Sequence, residues 1–141
     1  MSLETLEKKG ADMSRVLLVD EQPLVRVAIK RLLQDEGGTE LVAECSSGRE
    51  AIEQLRHCRP EMVIMDMGIE VLGVFDIVRH MRTIDPQPGI IILTTTLDAS
   101  FPRRIIKLGV SACLSKSCSA HEFYKAIRAV QAGRHYIPEA V

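Results

Sequence analysis

The sequence predicts an α/β fold, a doubly wound parallel sheet of five βα units with helices on both faces, and three observations carry that expectation. Short apolar runs bounded by turn signals alternate five times with amphipathic stretches, the pattern of strands buried between two layers of helix. The runs themselves, such as Val16-Leu17-Leu18-Val19 and Met62-Val63-Ile64-Met65, are unbroken rather than alternating, as a strand covered on both faces requires. Two of them close on acids, Asp20-Glu21 after the first and Asp66 after the third, and an open α/β sheet binds its ligands outside the carboxyl ends of its strands.

The strands are expected at residues 15–19, 40–44, 61–65, 89–94 and 112–115. After the first, Pro23 is suited to open a helix, because its missing N–H costs nothing there. Val25, Ala28, Ile29 and Leu32 form that helix's expected buried face and Gly37-Gly38 its end. Ser47-Gly-Arg-Glu50 reads as a capping box before Ala51, Ile52 and Leu55, on a second helix that stops before Pro60. A third helix is expected from Val74 to Asp85, with Ile77, Val78, Met81 and Ile84 on one face and Pro86 as its stop. The fourth runs from Pro102 to Gly109; Ser119-Ala-His-Glu122 caps a fifth that turns Phe123, Ile127 and Val130 inward. Right-handed crossovers favour the flavodoxin-like strand order 2-1-3-4-5, which sets the ends of strands one and three side by side.

With 141 residues, 46% of them hydrophobic and 26% charged, the chain suits one domain with a real core. Eighteen basic against nineteen acidic side chains leave a formal charge of −1, without the basic excess of a nucleic-acid binder. The fragment is therefore expected to contact neither nucleic acid nor membrane, no apolar run approaching the roughly 18 residues of a span, and the cytoplasm is its expected location. Cys45, Cys58, Cys113 and Cys118 lack a C-x-x-C or zinc-like spacing and read as small core hydrophobes. His57, His80, His121 and His135 share no spacing and read as surface residues. Residues 1–14 read as a flexible leader, Met1-Ser2-Leu3 as an expression scar, 15–133 as the domain, and 134–141 as the start of a linker to a domain absent from the chain.

The strand ends carry the chemistry. Three carboxylates, Asp20, Glu21 and Asp66, are expected to converge, and repelling carboxylates call for a cation among them. Oxygen ligands suit Mg2+, which keeps waters and phosphate oxygens as further ligands. A carboxylate can also attack a phosphoryl group to give an acyl phosphate. Asp66, alone at its strand end, is the expected phosphoacceptor, leaving Asp20 and Glu21 to the metal. Thr94 ends the fourth strand and Lys116 follows the fifth, and both are the expected donors to phosphoryl oxygens, which need positioning and positive charge more than covalent help.

As a set, Val-Leu-Leu-Val-Asp20-Glu21-Gln-Pro-Leu-Val-Arg26, Arg59-Pro60-Glu-Met-Val-Ile-Met-Asp66, Leu93-Thr94, Phe101-Pro102, Lys116 and Ala132-Gly133-Arg134-His135-Tyr136-Ile137 resemble the receiver domains of two-component response regulators. The likeness is to the NarL/FixJ type and, more closely, to GacA/UvrY-like regulators, over roughly residues 15–140. The resemblance implies a phosphoacceptor at Asp66 and a Mg2+ site from Asp20, Glu21, Asp66 and the backbone carbonyl of Gly68. It further implies a switch hydroxyl at Thr94, a phosphate-contacting Lys116, a sensor histidine kinase as donor, possible homodimers, and a C-terminal DNA-binding helix-turn-helix output controlling transcription. No enzyme activity beyond self-phosphotransfer and autodephosphorylation is expected.

Departures from that pattern are local. Ile69-Glu70-Val71 and Val74 replace the usual Met-Pro-Gly stretch and later Gly, so the loop beside the site loses a fixed φ and a permissive turn. Cys113 occupies the aromatic switch position and Ser117 the frequent Pro after the lysine. The alternative is a pseudo-receiver that acts through protein contact without phosphorylation. A phosphohydrolase would want a second acid two residues after its nucleophile, absent from Asp66-Met67-Gly68, and a dinucleotide domain would want a glycine-rich loop after the first strand.

Overall fold

A computed structural model describes residues 13–66, 68, 73–95 and 101–137. The expected leader up to Asp12, loop residues Ile69, Glu70 and Val71, and the last residues of the expected linker, 138–141, lie outside the described residues. Strands β1 (Ser14–Val19), β2 (Thr39–Cys45), β3 (Met62–Asp66), β4 (Gly89–Thr94) and β5 (Ala112–Ser115) alternate with helices α1 (Pro23–Glu36), α2 (Gly48–Cys58), α3 (Gly73–Ile84), α4 (Phe101–Ile106) and α5 (Ala120–Gln131). The sheet is parallel, in the order β2-β1-β3-β4-β5.

Alternation along each buried strand builds two half-cores. Leu17, Val19, Val63, Met65, Ile90, Ile92 and Cys113 face Ala51 and Leu55 of α2, Val74, Ile77, Val78 and Met81 of α3, and Ile105 of α4. Val16, Leu18, Met62, Ile64, Ile91, Leu93, Ala112 and Leu114 face Ile29 and Leu33 of α1 and Phe123, Ala126 and Ile127 of α5. Strand periodicity of two sends successive side chains to opposite faces, so the runs had to be apolar throughout.

Local chemistry sets the ends of the helices. Ser47 and Ser119 each accept from the backbone N–H of the glutamate three residues on, satisfying donors that a helix start leaves orphaned. Arg59, with φ 44°, ends α2 in a left-handed turn and Gly37, with φ 76°, ends α1. Arg15 reaches from β1 to the carbonyls of Cys58 and Arg59, anchoring the end of α2 to the sheet.

Two expectations need correction. Ala28 is exposed and Leu32 only half-buried; the buried pair of α1 is Ile29 and Leu33, one turn apart on a narrower stripe than expected. The fourth helix ends at Ile106, and a turn carries the chain through Gly109, whose φ is 86°. Strand ends otherwise moved by a residue; in particular, Asp66 is the last residue of β3 rather than the first beyond it. Past α5 the chain returns along β5, where the Tyr136 N–H donates to the Ser111 carbonyl at 2.9 Å and the Cys113 N–H donates to the Tyr136 carbonyl at 3.1 Å.

Candidate functional site

At the carboxyl edge of the sheet, β1 and β3 are neighbours in register, Val19 opposite Met65, so Asp20 and Asp66 emerge side by side. Asp20 is fully buried and Asp66 is 7% exposed. The Asp20 N–H donates to the Cys45 carbonyl at 3.0 Å, and the carboxylate Oδ1 accepts from the Gln22 N–H at 2.8 Å. Arg26 of α1 donates through Nη1 to the Asp20 carbonyl oxygen, while its Nε lies 3.1 Å from Oε1 of Glu44 on β2. Lys30 completes that cluster at 2.7 Å from Glu44. The acidic turn is thereby tied to the adjoining helix and strand.

Thr94 is buried at the end of β4, in register with Ser115. The Lys116 N–H donates to the Thr94 carbonyl at 2.7 Å, which aims the lysine side chain back across the sheet edge. Its Nζ lies 3.1 Å from Oδ2 of Asp20 and 3.1 Å from Oδ1 of Asp66. Burial pulls the Lys116 pKa down, but the close contacts and negative charge of Asp20 and Asp66 outweigh it and hold the ammonium above the ordinary lysine value.

Two of the three expected carboxylates therefore meet at one cation. The third corrects the expected convergence: Glu21 is exposed, and among the described residues no three His, Cys, Asp or Glu side chains gather closely enough to hold a metal between them. Gly68 stands close to the Asp66 carboxylate, where an added Cβ would lie 3.6 Å from Oδ2 of Asp66. Oδ2 of Asp20 is buried without a hydrogen-bond donor aligned to it, so the lysine contact is ionic. Two buried carboxylates, one with an orphaned oxygen, beside Gly68 form a hard-oxygen donor set that fits Mg2+.

Cys113 is fully buried on the α2–α4 side of the sheet, and burial pushes its thiol up to about 12. Cys45 is likewise buried and pushed up to about 12, first by burial and then by Glu50. All four cysteines are free, and all four histidines are exposed. Beside Lys116 an apolar groove of about 420 Å³ opens between α1 and α5, lined among others by Leu24, Val25, Ala28, Leu32, Cys118 and Phe123. Sequence reasoning missed two supporting residues, Arg26 and Gln22. A glutamine just before Pro23, at a position where Ser, Thr, Asp or Asn caps better, was the signal for the second.

The fold and site define a class of module: a parallel α/β sheet whose carboxyl edge holds buried carboxylates bridged by a lysine. The family model described as the response regulator receiver domain matches residues 16–128, and the chain belongs to that family, receiver domains of response regulators in two-component signalling. It is 33% identical to response regulator GacA of Pseudomonas syringae pv. syringae over 89% of its own length and 58% of the relative. With response regulator UvrY of Escherichia coli the identity is 34%, over 89% of this chain and 57% of that one. The chain thus spans less than three-fifths of the curated relatives it matches. Among solved structures, a LuxR-family two-component response regulator from Aurantimonas superposes with a TM-score of 0.83 at 32% identity, covering 88% of this chain and 89% of that one. The isolated REC domain of RcsB from Salmonella enterica serovar Typhimurium, with phosphomimetic BeF3-, superposes at 0.83 with 20% identity over 90% and 94%, a likeness of fold.

Proposed function

We propose that Asp66 accepts a phosphoryl group from a phosphohistidine on a sensor histidine kinase. The observation that carries this reading is the buried Asp66 carboxylate at a strand end, 3.1 Å from Lys116 Nζ and sharing that lysine with Asp20. An Asp66 carboxylate oxygen attacks phosphorus, the N–P bond breaks, its electron pair leaves on the imidazole nitrogen, and an acyl phosphate forms. Lys116 gives up a carboxylate oxygen for a phosphoryl oxygen, and the Thr94 hydroxyl donates to another. Asp20, Asp66 and the Gly68 carbonyl would hold Mg2+, and the exposed Glu21 would have to turn inward to join them; the ion would supply charge neutralisation for the phosphoryl oxygens. Bending of the loops after β4 and β5 toward the new charge reshapes the α4-β5-α5 face or a neighbouring one.

The apolar groove beside Lys116 offers a seat for the kinase that must deliver the phosphohistidine. In the longer protein, residues 134–141 lead to a helix-turn-helix domain that binds DNA and regulates transcription in the cytoplasm, with homodimerisation as a further output. That reading is supported by the regulator names of the relatives and by the solved RcsB–DNA complex among the fold neighbours. The domain itself turns over no substrate beyond its own phosphotransfer and dephosphorylation.

Intact mass after incubation with acetyl phosphate and Mg2+ tests the assignment. A phosphate-sized gain is expected, lost both in Asp66→Asn and without metal. A folded chain that gains nothing overturns phosphoacceptance and leaves the pseudo-receiver.

A further inference from the structure

Gln22 is the N-cap residue of α1, yet its side chain makes no capping hydrogen bond. The helix start is served in other ways: Pro23 follows with no N–H to satisfy, and the Gln22 backbone N–H goes to Asp20 Oδ1. The side chain is thus free for a partner 94 residues away in the chain, and its Oε1 accepts from Lys116 Nζ at 3.3 Å. The ammonium has three N–H donors, and three oxygens surround it: Asp20 Oδ2 and Asp66 Oδ1 at 3.1 Å each, and Gln22 Oε1 at 3.3 Å.

From this geometry we infer that Gln22 is a positioning residue for Lys116: it holds the ammonium between the two carboxylates and so makes the lysine a stronger competitor for the oxygens that a divalent cation must take. The inference rests on the metal-dependent site proposed above. An amide is suited to this role. It accepts from the ammonium but carries no charge, so it favours the lysine without adding a carboxylate that would attract the cation. Lys116 and a divalent cation both require Asp20 Oδ2, the oxygen with no aligned donor, and occupancy by one opposes the other. Gln22 sets the balance from the side of the lysine. The chain's readiness to load metal, and with it to accept phosphate, is then tuned by a residue that touches neither.

The test is a magnesium titration by calorimetry on the whole chain, using Gln22→Met, Lys116→Met and the double variant. Methionine keeps length and removes the acceptor oxygen, and because no cap bond is lost the variant folds. A hydrogen bond to a charged group at an exposed position is a modest effect, so Gln22→Met is expected to bind Mg2+ about two- to fivefold more tightly than the unaltered chain. In the Lys116→Met background the same change is expected to do nothing, since a residue acting through the lysine has nothing left to hold. A general structural effect of Gln22 would survive loss of the lysine. Equal or weaker binding by Gln22→Met, or an effect that persists without Lys116, overturns the inference while leaving the metal site standing. Absence of magnesium binding by the unaltered chain overturns the site reading itself, and the inference with it.

Discussion

Lys116 is the residue on which the site's electrostatics turn, because two buried carboxylates share it. Removing one partner of a buried ionic cluster leaves charge without compensation, and Lys116→Met is expected to destabilise the fold by about 2–4 kcal/mol at neutral pH. The folded-state pKa of Lys116 is raised above 10.5. Its contribution is therefore complete below that value and is lost only as pH rises through the higher one, so the gap between the two proteins should stay flat from about pH 6 to 9. Urea unfolding at several pH values checks this, and added Mg2+ should recover more stability in the variant, whose carboxylates then gain a counter-charge. Cys113 makes a second point at this scale. It is buried and pushed up to about 12, as is Cys45, so almost none of either thiol is the reactive thiolate near pH 8. Mass mapping after treatment with a thiol reagent should find neither modified until the chain unfolds; modification of the native protein at Cys113 would contradict its placement. That Asp66, Asp20 and Lys116 stand at one edge of the sheet was legible from their strand-end positions. The outward turn of Glu21 and the reach of Gln22 were not, because spacing along a chain does not give the direction of a loop side chain.

The helices show how local signals set boundaries while packing sets faces. Both N-cap serines act as their spacing predicts, with Ser47 and Ser119 accepting the Glu50 and Glu122 N–H groups at 3.2 and 3.1 Å. Ser47→Ala and Ser119→Ala are each expected to cost about 1 kcal/mol. The costs should add in the double variant, since α2 and α5 lie on opposite faces of the sheet, and denaturant midpoints with an unchanged slope would show it. A cost well below a few tenths of a kcal/mol would mean that the hydroxyls do not cap. The burial expected of Ala28 failed for a related reason. Helical periodicity identifies an apolar stripe but not which edge of it meets the sheet, and in α1 the stripe is wide: Leu24 and Val27 are 83% and 57% exposed while Ile29 and Leu33 are buried. Val74 illustrates the converse. Expected to open the third helix and to alter the loop before it, it lies in the first turn of α3 and is buried in the core.

Across the whole molecule, the sheet order brings together residues from the two ends of the chain. Asp20 and Gln22 from the start, Asp66 from the middle and Lys116 from near the end form one cluster because β1, β3, β4 and β5 are successive neighbours. The groove beside it predicts a separation of functions. Leu24→Glu places a charge in an apolar seat, and phosphotransfer from a sensor kinase active on this chain is expected to slow about tenfold or more. Uptake from acetyl phosphate, which needs no docking, should be unchanged; an equal loss in both assays would put Leu24 in the chemistry instead. The chain's own apolar pattern determined the α/β class, the five βα units, the helix caps and the acids at the strand ends, because each is a local property of period, turn chemistry or end position. Only the tertiary structure decided that Lys116 lies between Asp20 and Asp66, that Gln22 holds it, that Glu21 faces outward and that Tyr136 returns along β5. These depend on the sum of packing over both faces of the sheet, and no segment of the chain carries that sum by itself.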